Sequence, residues 1–291
     1  LLYAQAALAG VLTIAGAIFS RRDIQDSTSL QRHIELLWMG IGATILAGLI
    51  IMIIRERAHE PETPKQATYR VDATEKSWRA NLKRFKKSVQ VPWFRRFLIV
   101  CTLFLSVDLA MPFYAIHAAS LHAHNHRSLA AFIIAASLGM IIGGILMPRI
   151  AKRSVRAVYI VSAIIACIAG VIAVYINMAS QTPSAEAHAI VFVLLSMAEL
   201  GSYNARSLYV VGETTDAERP YFIAVLSTVL GVLGVLLALI LGVLAHVQGA
   251  VWPIWCLFAL TVVAGLGARM LSQPNRHDDA TNLGDAAAST S

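Results

Sequence analysis

Residues 97–118 read FLIVCTLFLSVDLAMPFYAIHA, an apolar run that carries one acid, Asp108, near its middle. A helix needs about 20 apolar residues to cross a membrane, because the hydrocarbon layer is about 30 Å thick and each residue rises about 1.5 Å. Asp108 lies 11 residues after Phe97, so it is expected at about half that depth. A charge there costs roughly 2.5–3.5 kcal/mol on insertion scales, which predicts that Asp108 faces a cavity or a partner.

The composition of the whole chain predicts an all-α polytopic membrane protein. Of its 291 residues, 57% are hydrophobic and 14% are charged, whereas soluble domains have about 25% charged residues. The chain begins at Leu1 inside an apolar run, so we expect it to be the C-terminal part of a longer protein. The three cysteines are far apart in apolar runs, which favours small core residues over a metal site or a disulfide framework.

Hydropathy and charge together predict eight membrane helices and their orientation. The predicted spans are 1–19, 34–54, 97–118, 128–150, 157–178, 188–211, 220–246 and 249–271. Their connections alternate between two sides, and 20 of the 24 Lys and Arg residues fall on the side that holds the loop 55–96. Cytoplasmic loops are rich in Lys and Arg. We therefore predict a bacterial inner-membrane protein with both ends of this chain in the cytoplasm, and its net positive charge does not indicate nucleic-acid binding.

The loop 55–96 is the longest polar stretch before the tail 272–291. Asp72 and Glu75 fit a capping box that begins a helix. Apolar residues then recur at helical spacing between basic ones, at Trp78, Leu82, Phe85 and Val89. This pattern predicts a helix on an anionic cytoplasmic leaflet, with a solvated basic linker as the alternative. The tail is polar and rich in Ala, Ser and Asp, which predicts disorder.

A second acid, Glu199, lies near the middle of the span 188–211. Polar residues three, four and seven positions apart share one face of this helix, namely Ser196, Glu199, Ser202, Tyr203 and Arg206. A polar stripe on an apolar helix is expected to face water or substrate. Glu199 and Arg206 are about 10 Å apart along the axis, so their spacing alone does not predict an ion pair. In the alternative, Arg206 reaches the cytoplasmic surface and Glu199 pairs with another helix.

Pro112 follows Asp108 by four residues and has no N–H for the carbonyl of Asp108. A missing backbone hydrogen bond of this kind is tolerated in a membrane helix where the helix lines a cavity. Tyr114 and His117 lie further toward the extracytoplasmic end. The alternative for Asp108 is a protonated acid that is hydrogen-bonded to a neighbouring helix.

Small residues predict close helix contacts in two other spans. Gly139 and Gly143 are four residues apart, and Ser227 and Gly231 have the same spacing. Pairs of this kind let helix backbones approach each other in membranes.

Two spans, a long basic loop and six closely connected spans form a layout that resembles the major facilitator superfamily. Residues 144–156, GILMPRIAKRSVR, are similar to the family's basic turn and keep Arg149, Lys152, Arg153 and Arg156, although Lys152 replaces the acid of that motif and Val155 its glycine. The segments 112–114 (PFY) and 218–221 (ERPY) also look like those of bacterial permeases in this superfamily.

The resemblance implies that the chain runs from the family's fifth helix to its twelfth. Residues 1–54 would then hold the last two helices of the N-terminal half, and residues 97–271 the C-terminal six-helix bundle. The spans 97–118 and 188–211, which carry the two acids, would correspond to helices that line the central cavity of the family.

These observations predict a secondary active transporter of a small solute, working by alternating access and coupled to protons. Asp108 and Glu199 are the candidate groups for a proton or a cationic solute, and the other candidate site residues are Tyr203, Arg206, Ser202 and Tyr114. The expected partners are the lipid bilayer, the solute and the proton. No cofactor, resident metal or enzymatic activity is predicted, because the chain has no phosphate-binding loop and no hydrolase motif.

Two alternatives come from other functional classes. The first is a non-transporting receptor or assembly partner that contacts lipid or protein through the loop 55–96. The second is a membrane enzyme with a metal site at the histidines His117, His122, His124 and His126. This site is not favoured, because those residues do not share a helix face and have no acid or cysteine nearby.

Overall fold

The computed structural model describes residues 89–121, 126–179, 185–215 and 218–271 of the chain. These residues form seven α-helices. They are α1 (Pro92–Asp108), α2 (Ala110–Leu121), α3 (His126–Ala151), α4 (Val155–Ala179), α5 (Ala185–Glu213), α6 (Arg219–Gln248) and α7 (Val251–Ala268). The predicted spans 1–19 and 34–54, almost all of the loop 55–96 and the tail 272–291 lie outside the described residues.

The helices coincide with the six predicted spans that fall in the described ranges. Five segments are long and apolar enough to cross a membrane, and one of them combines α1 and α2 as Pro92–Leu121. The remaining helix, α5, is 29 residues long and less apolar because it carries the polar stripe. The all-helical membrane fold is thus confirmed for these residues, while the count of eight spans stays a prediction. Helix α1 begins at Pro92 rather than at Phe97, since proline is well placed at a helix N-terminus.

Helix α5 lies at the centre of the packing, with α3 on one side and α4 on another. Glycines allow these close approaches. A Cβ atom on Gly139 of α3 would collide with the backbone oxygen of Val193 in α5. A Cβ atom on Gly201 of α5 would collide with the hydroxyl of Ser162 in α4. Helix α7 packs against α4 and α1 and completes the bundle on the far side.

One end of the bundle collects both aromatic and basic side chains. Short connections make successive helices antiparallel, so the start of α1, the turn between α3 and α4, the junction of α5 with α6 and the end of α7 share this end. Trp93 packs against Phe222 with ring centroids 5.1 Å apart, and Phe97 stacks on Tyr209 at 4.4 Å. The basic residues at this end include Arg149, Lys152, Arg153, Arg156 and Arg269. That this end is cytoplasmic stays a prediction from the positive-inside rule.

The packing of α3 on α5 predicts the effect of Gly139→Ala. The added methyl group meets a backbone carbonyl, which cannot move aside unless the whole of α5 moves. We expect a loss of about 1–3 kcal/mol in the stability of the full chain, as for other overpacked cores. Thermal unfolding in detergent, followed by tryptophan fluorescence, measures this change.

Gly242→Ala is the matched control, because a Cβ atom on Gly242 would have no neighbour within 4 Å. It is expected to leave stability unchanged or to raise it slightly, since alanine favours helix over glycine by about 1 kcal/mol. Equal losses in the two variants would contradict the close approach at Gly139.

Candidate functional site

The site begins at a break in the first membrane segment. Helix α1 ends at Asp108, Leu109 adopts φ −92° and ψ −4°, and α2 resumes at Ala110. The break falls one turn before Pro112, which has no N–H for the carbonyl of Asp108. The sequence pattern thus marked the position at which the helix is interrupted, and the acid occupies that position.

Asp108 forms an ion pair with Arg206 of α5. The Nη2 atom of Arg206 donates to Oδ2 of Asp108 at 2.6 Å, and the two side chains are only 15% and 22% exposed. Charged partners at this distance form a strong hydrogen bond. The contact uses one edge of each group, because Oδ1 of Asp108 and Nε of Arg206 are buried without a hydrogen-bond partner among the described residues. Both groups therefore keep hydrogen-bonding capacity.

The side chain of Arg206 points toward the middle of the bundle. Tyr209, which is three residues later in α5, stacks on Phe97 of α1. Asp108 lies 11 residues beyond Phe97, about 16 Å further along the helix axis. The guanidinium that reaches Asp108 therefore extends away from the basic end. The alternative in which Arg206 reaches the surface does not fit this geometry.

A buried thiol and a buried phenol flank the guanidinium. Cys101 of α1 lies near Arg206, and its Sγ atom lies 3.7 Å from the hydroxyl of Tyr159 in α4. Phe104 packs edge-on against the Tyr159 ring at 4.9 Å.

A cavity of about 350 Å³ opens between α1, α5 and α6 beside this ion pair. Its lining combines apolar side chains with a few hydroxyl groups and the Arg206 guanidinium. The lining residues are Leu105, Tyr203, Arg206, Ser207, Val210, Ile223, Leu226, Ser227, Leu230 and Gly231. An apolar cavity with a few polar groups at one place is typical of a small-molecule site.

Comparison with known proteins identifies the fold to which this arrangement belongs. The family model of the Major Facilitator Superfamily matches residues 97–288, about two thirds of the chain. The chain belongs to the major facilitator superfamily. This confirms the resemblance found in the layout of the spans.

The chain is also similar to full-length relatives in mycobacteria. It is 24% identical over 277 residues to uncharacterized proteins of Mycobacterium bovis and of two strains of Mycobacterium tuberculosis. The alignment covers 95% of this chain and 52% of each relative. The chain therefore spans about half the length of the curated relatives that it matches.

The remaining candidate residues of this major facilitator chain lie at different depths around the pair. Tyr203 is 59% exposed and lines the cavity. Glu199 is partly buried and close enough to Asp108 for their charges to interact. Ser202 is fully buried, and its hydroxyl donates to the backbone oxygen of Glu199 at 2.9 Å. Tyr114 is buried in the apolar core, where a Cβ atom on Gly170 would lie 3.3 Å from its hydroxyl oxygen.

The structure thus divides the predicted polar stripe of α5. Tyr203 and Arg206 line the cavity, whereas Ser196 and Ser202, at the edges of the stripe, are buried in the bundle. Whether Ser202 and Tyr114 act in binding stays a prediction.

Cys101 is the site residue that the sequence analysis assigned only to packing. Its position seven residues before Asp108 was a usable signal, because residues seven apart share a helix face. The described residues contain no group of three side chains that could bind a metal, so the histidine metal site stays an alternative that is not favoured. His117 is buried, and its ring centroid lies 6.2 Å from that of His188. The histidines between residues 122 and 125 lie outside the described ranges.

The ion pair predicts that the effects of mutations at its two ends are coupled. Arg206→Met leaves the Asp108 carboxylate without its cation, whereas the double variant with Asp108→Leu removes both charges. We expect the double variant to be more stable than the sum of the single effects predicts, by about 1–3 kcal/mol. Denaturant unfolding of the full chain in micelles, run as a double-mutant cycle, measures this coupling.

Arg153→Met is the control, because Arg153 is exposed in the turn between α3 and α4. Combined with Asp108→Leu, it should give additive effects. Additivity in the Asp108 and Arg206 cycle as well would show that the pair contributes no interaction energy.

Proposed function

We propose that this chain forms part of a secondary active transporter that moves a small solute by alternating access and couples its movement to protons. The observation that carries the proposal is the Asp108–Arg206 ion pair, which lies at a helix break and borders a cavity. Charged residues inside membrane segments are rare and mark solute and ion pathways. Membership of a family of membrane transporters supports the same function.

The solute would bind in the cavity between α1, α5 and α6. Arg206 and the hydroxyl groups of Tyr203, Ser207 and Ser227 supply its polar contacts, and leucine and isoleucine side chains supply the apolar ones. Since Arg206 is shared between Asp108 and the cavity, a solute that hydrogen-bonds the guanidinium competes with the carboxylate. Binding is thereby linked to the ion pair that joins α1 and α5.

Glu199 is the proposed proton carrier. It has no cation partner among the described residues, whereas Asp108 is held by Arg206. Glu199 can therefore gain and lose a proton without the cost of breaking an ion pair. Its charge also acts on Asp108 nearby, so protonation of Glu199 changes the electrostatic balance of the pair.

The basic end of the bundle is proposed to face the cytoplasm of a bacterial inner membrane. Arg149, Lys152, Arg153 and Arg156 lie at this end in the described residues. The positive-inside rule supports this orientation.

Because the chain spans about half the length of its relatives, the solute is found by a transport screen of the full-length protein that contains it, reconstituted in proteoliposomes. Vesicles with an imposed pH gradient are incubated with a small-molecule extract of bacterial cytosol and then washed, and their contents are identified by mass spectrometry. We expect at least one compound to accumulate only when both the protein and the gradient are present. Contents identical to those of protein-free vesicles, in either gradient direction, would refute the transport function and favour a receptor or assembly role.

Glu199→Gln separates proton coupling from solute binding. We expect it to reduce gradient-driven uptake of that compound to the level seen without a gradient, because the proton carrier is gone. Exchange of labelled for unlabelled compound at equal pH should continue, since it needs no net proton movement. Asp108→Asn should impair both processes, because it weakens the ion pair beside the cavity.

Glu213→Gln is the matched control for Glu199→Gln. It makes the same chemical change in the same helix, 14 residues further on and outside the cavity lining. It is expected to keep gradient-driven uptake. Uphill uptake that survives in Glu199→Gln would show that Glu199 does not carry the coupling proton.

A further inference from the structure

A second, separate cavity lies on the outer side of the bundle, between α4 and α7. It is a groove of about 430 Å³, and its lining is almost wholly apolar. The floor consists of small residues, Ala163 and Cys167 of α4 and Gly265 of α7. A Cβ atom on Gly265 would lie 3.0 Å from the Cβ of Ala163. The helices therefore touch at the floor, and their larger side chains stand apart above it.

The walls of the groove are exposed aliphatic side chains. Ile164 and Ile168 of α4 form one wall, and Val262 and Leu266 of α7 form the other. All four are among the exposed large hydrophobic residues of the chain. A groove with such walls in a membrane-spanning bundle is open to the hydrocarbon layer.

One charged residue belongs to the lining. Arg269 lies just after the end of α7, at the basic end of the bundle. It is exposed, and no carboxylate among the described residues pairs with it. The groove thus runs from a cation at the membrane boundary into the apolar depth of the bundle.

The length of the groove matches one leaflet of a bilayer. Its lining extends from Ile160 to Ile172 in α4 and from Phe258 to Arg269 in α7. These stretches rise by about 16–18 Å, and half of the hydrocarbon layer is about 15 Å thick. An acyl chain that starts at the membrane boundary beside Arg269 can follow the groove over the depth of its own leaflet.

We propose that the groove between α4 and α7 binds one anionic phospholipid, with an acyl chain between the walls and the phosphate on Arg269. Charge complementarity selects the headgroup, since phosphate is a favoured partner of the guanidinium and an anionic headgroup has no cation of its own to offset the phosphate charge. The narrow floor selects a flexible chain rather than a ring system. The site is distinct from the cavity beside Asp108, which lies between other helices and holds a charge pair.

Native mass spectrometry of the full chain tests this site. The protein, purified in detergent, is titrated with phosphatidylglycerol and, separately, with phosphatidylcholine of the same acyl chains. We expect one phosphatidylglycerol molecule to be retained per chain at concentrations where phosphatidylcholine is lost. Arg269→Gln should weaken retention of phosphatidylglycerol by about fivefold, the typical contribution of one basic residue near a membrane surface. Retention of phosphatidylcholine should change less, because its choline cation offsets the charge of its phosphate.

Three further variants separate a specific lipid site from a general attraction between charges. Arg153→Gln removes an exposed arginine at the same end that does not line the groove, and it should keep phosphatidylglycerol bound. Cys167→Phe fills the floor and should reduce retention of both lipids, with an unchanged unfolding temperature as evidence that the bundle still folds. Arg269→Lys should restore most of the binding that Arg269→Gln loses.

Three outcomes would overturn the proposal. Equal losses in Arg269→Gln and Arg153→Gln would indicate diffuse attraction by the basic end. Equal retention of the two lipids in the unmodified protein would remove the role of the net negative charge of the headgroup. A lipid-free dimer that is disrupted by Cys167→Phe would show that a second copy of the chain covers the groove instead.

Discussion

The ion pair between Asp108 and Arg206 is the interaction on which the arrangement of this bundle depends. A single charge inside a membrane bundle is costly, and its partner offsets that cost only at short range and in one geometry. The 2.6 Å contact therefore fixes how α1 and α5 face each other. It also directs the long side chain of Arg206 inward, where it reaches the cavity. The same ion pair therefore neutralises the buried charge and places the Arg206 side chain in the wall of the candidate site.

The position of Asp108 at a helix end increases its need for a cation. The C-terminus of a helix carries a partial negative charge, because the last carbonyl groups lack hydrogen-bond donors within the helix. A carboxylate at that point is unfavourable unless a positive group lies close to both the carboxylate and the end of the helix. Arg206 supplies that group from α5. Cys101 of α1 lies near the guanidinium and is itself in contact with Tyr159 of α4. The stabilisation of this acid therefore depends on a side chain from another helix.

The sequence located both acids but not the contact between Asp108 and Arg206. The depth of a charge in an apolar run identified Asp108 and Glu199, and the position of Pro112 indicated the helix break. The depth of a charge and the position of a proline are each properties of a single helix. Arg206 was grouped with Glu199 on one helix face, whereas its partner is 98 residues away on another helix. The distance between two helices depends on the packing of all the others. Periodicity in one helix carries no information about that distance.

The same limit explains the buried positions of Ser202 and Tyr114. Helical spacing placed Ser202 in the polar stripe, but a stripe is wide, and the neighbours of α5 cover its edges. A serine is easily buried there, because its hydroxyl bonds to the backbone of its own helix. Tyr114 is a large side chain near the end of a membrane segment, and sequence alone does not say which side of that segment is covered. The order and bounds of the helices were more accessible, because hydropathy and proline positions determine them locally.

The interruption at Leu109 gives the first membrane segment a mechanical property that a continuous helix lacks. Bending an intact helix strains a row of hydrogen bonds, whereas at Leu109 one of these bonds is already missing because of Pro112. The portion from Ala110 to Leu121 is therefore the more easily tilted part, and the joint lies directly beside the acid that binds Arg206. A hinge and a charge at the same point make the tilt of that portion sensitive to whatever neutralises the carboxylate.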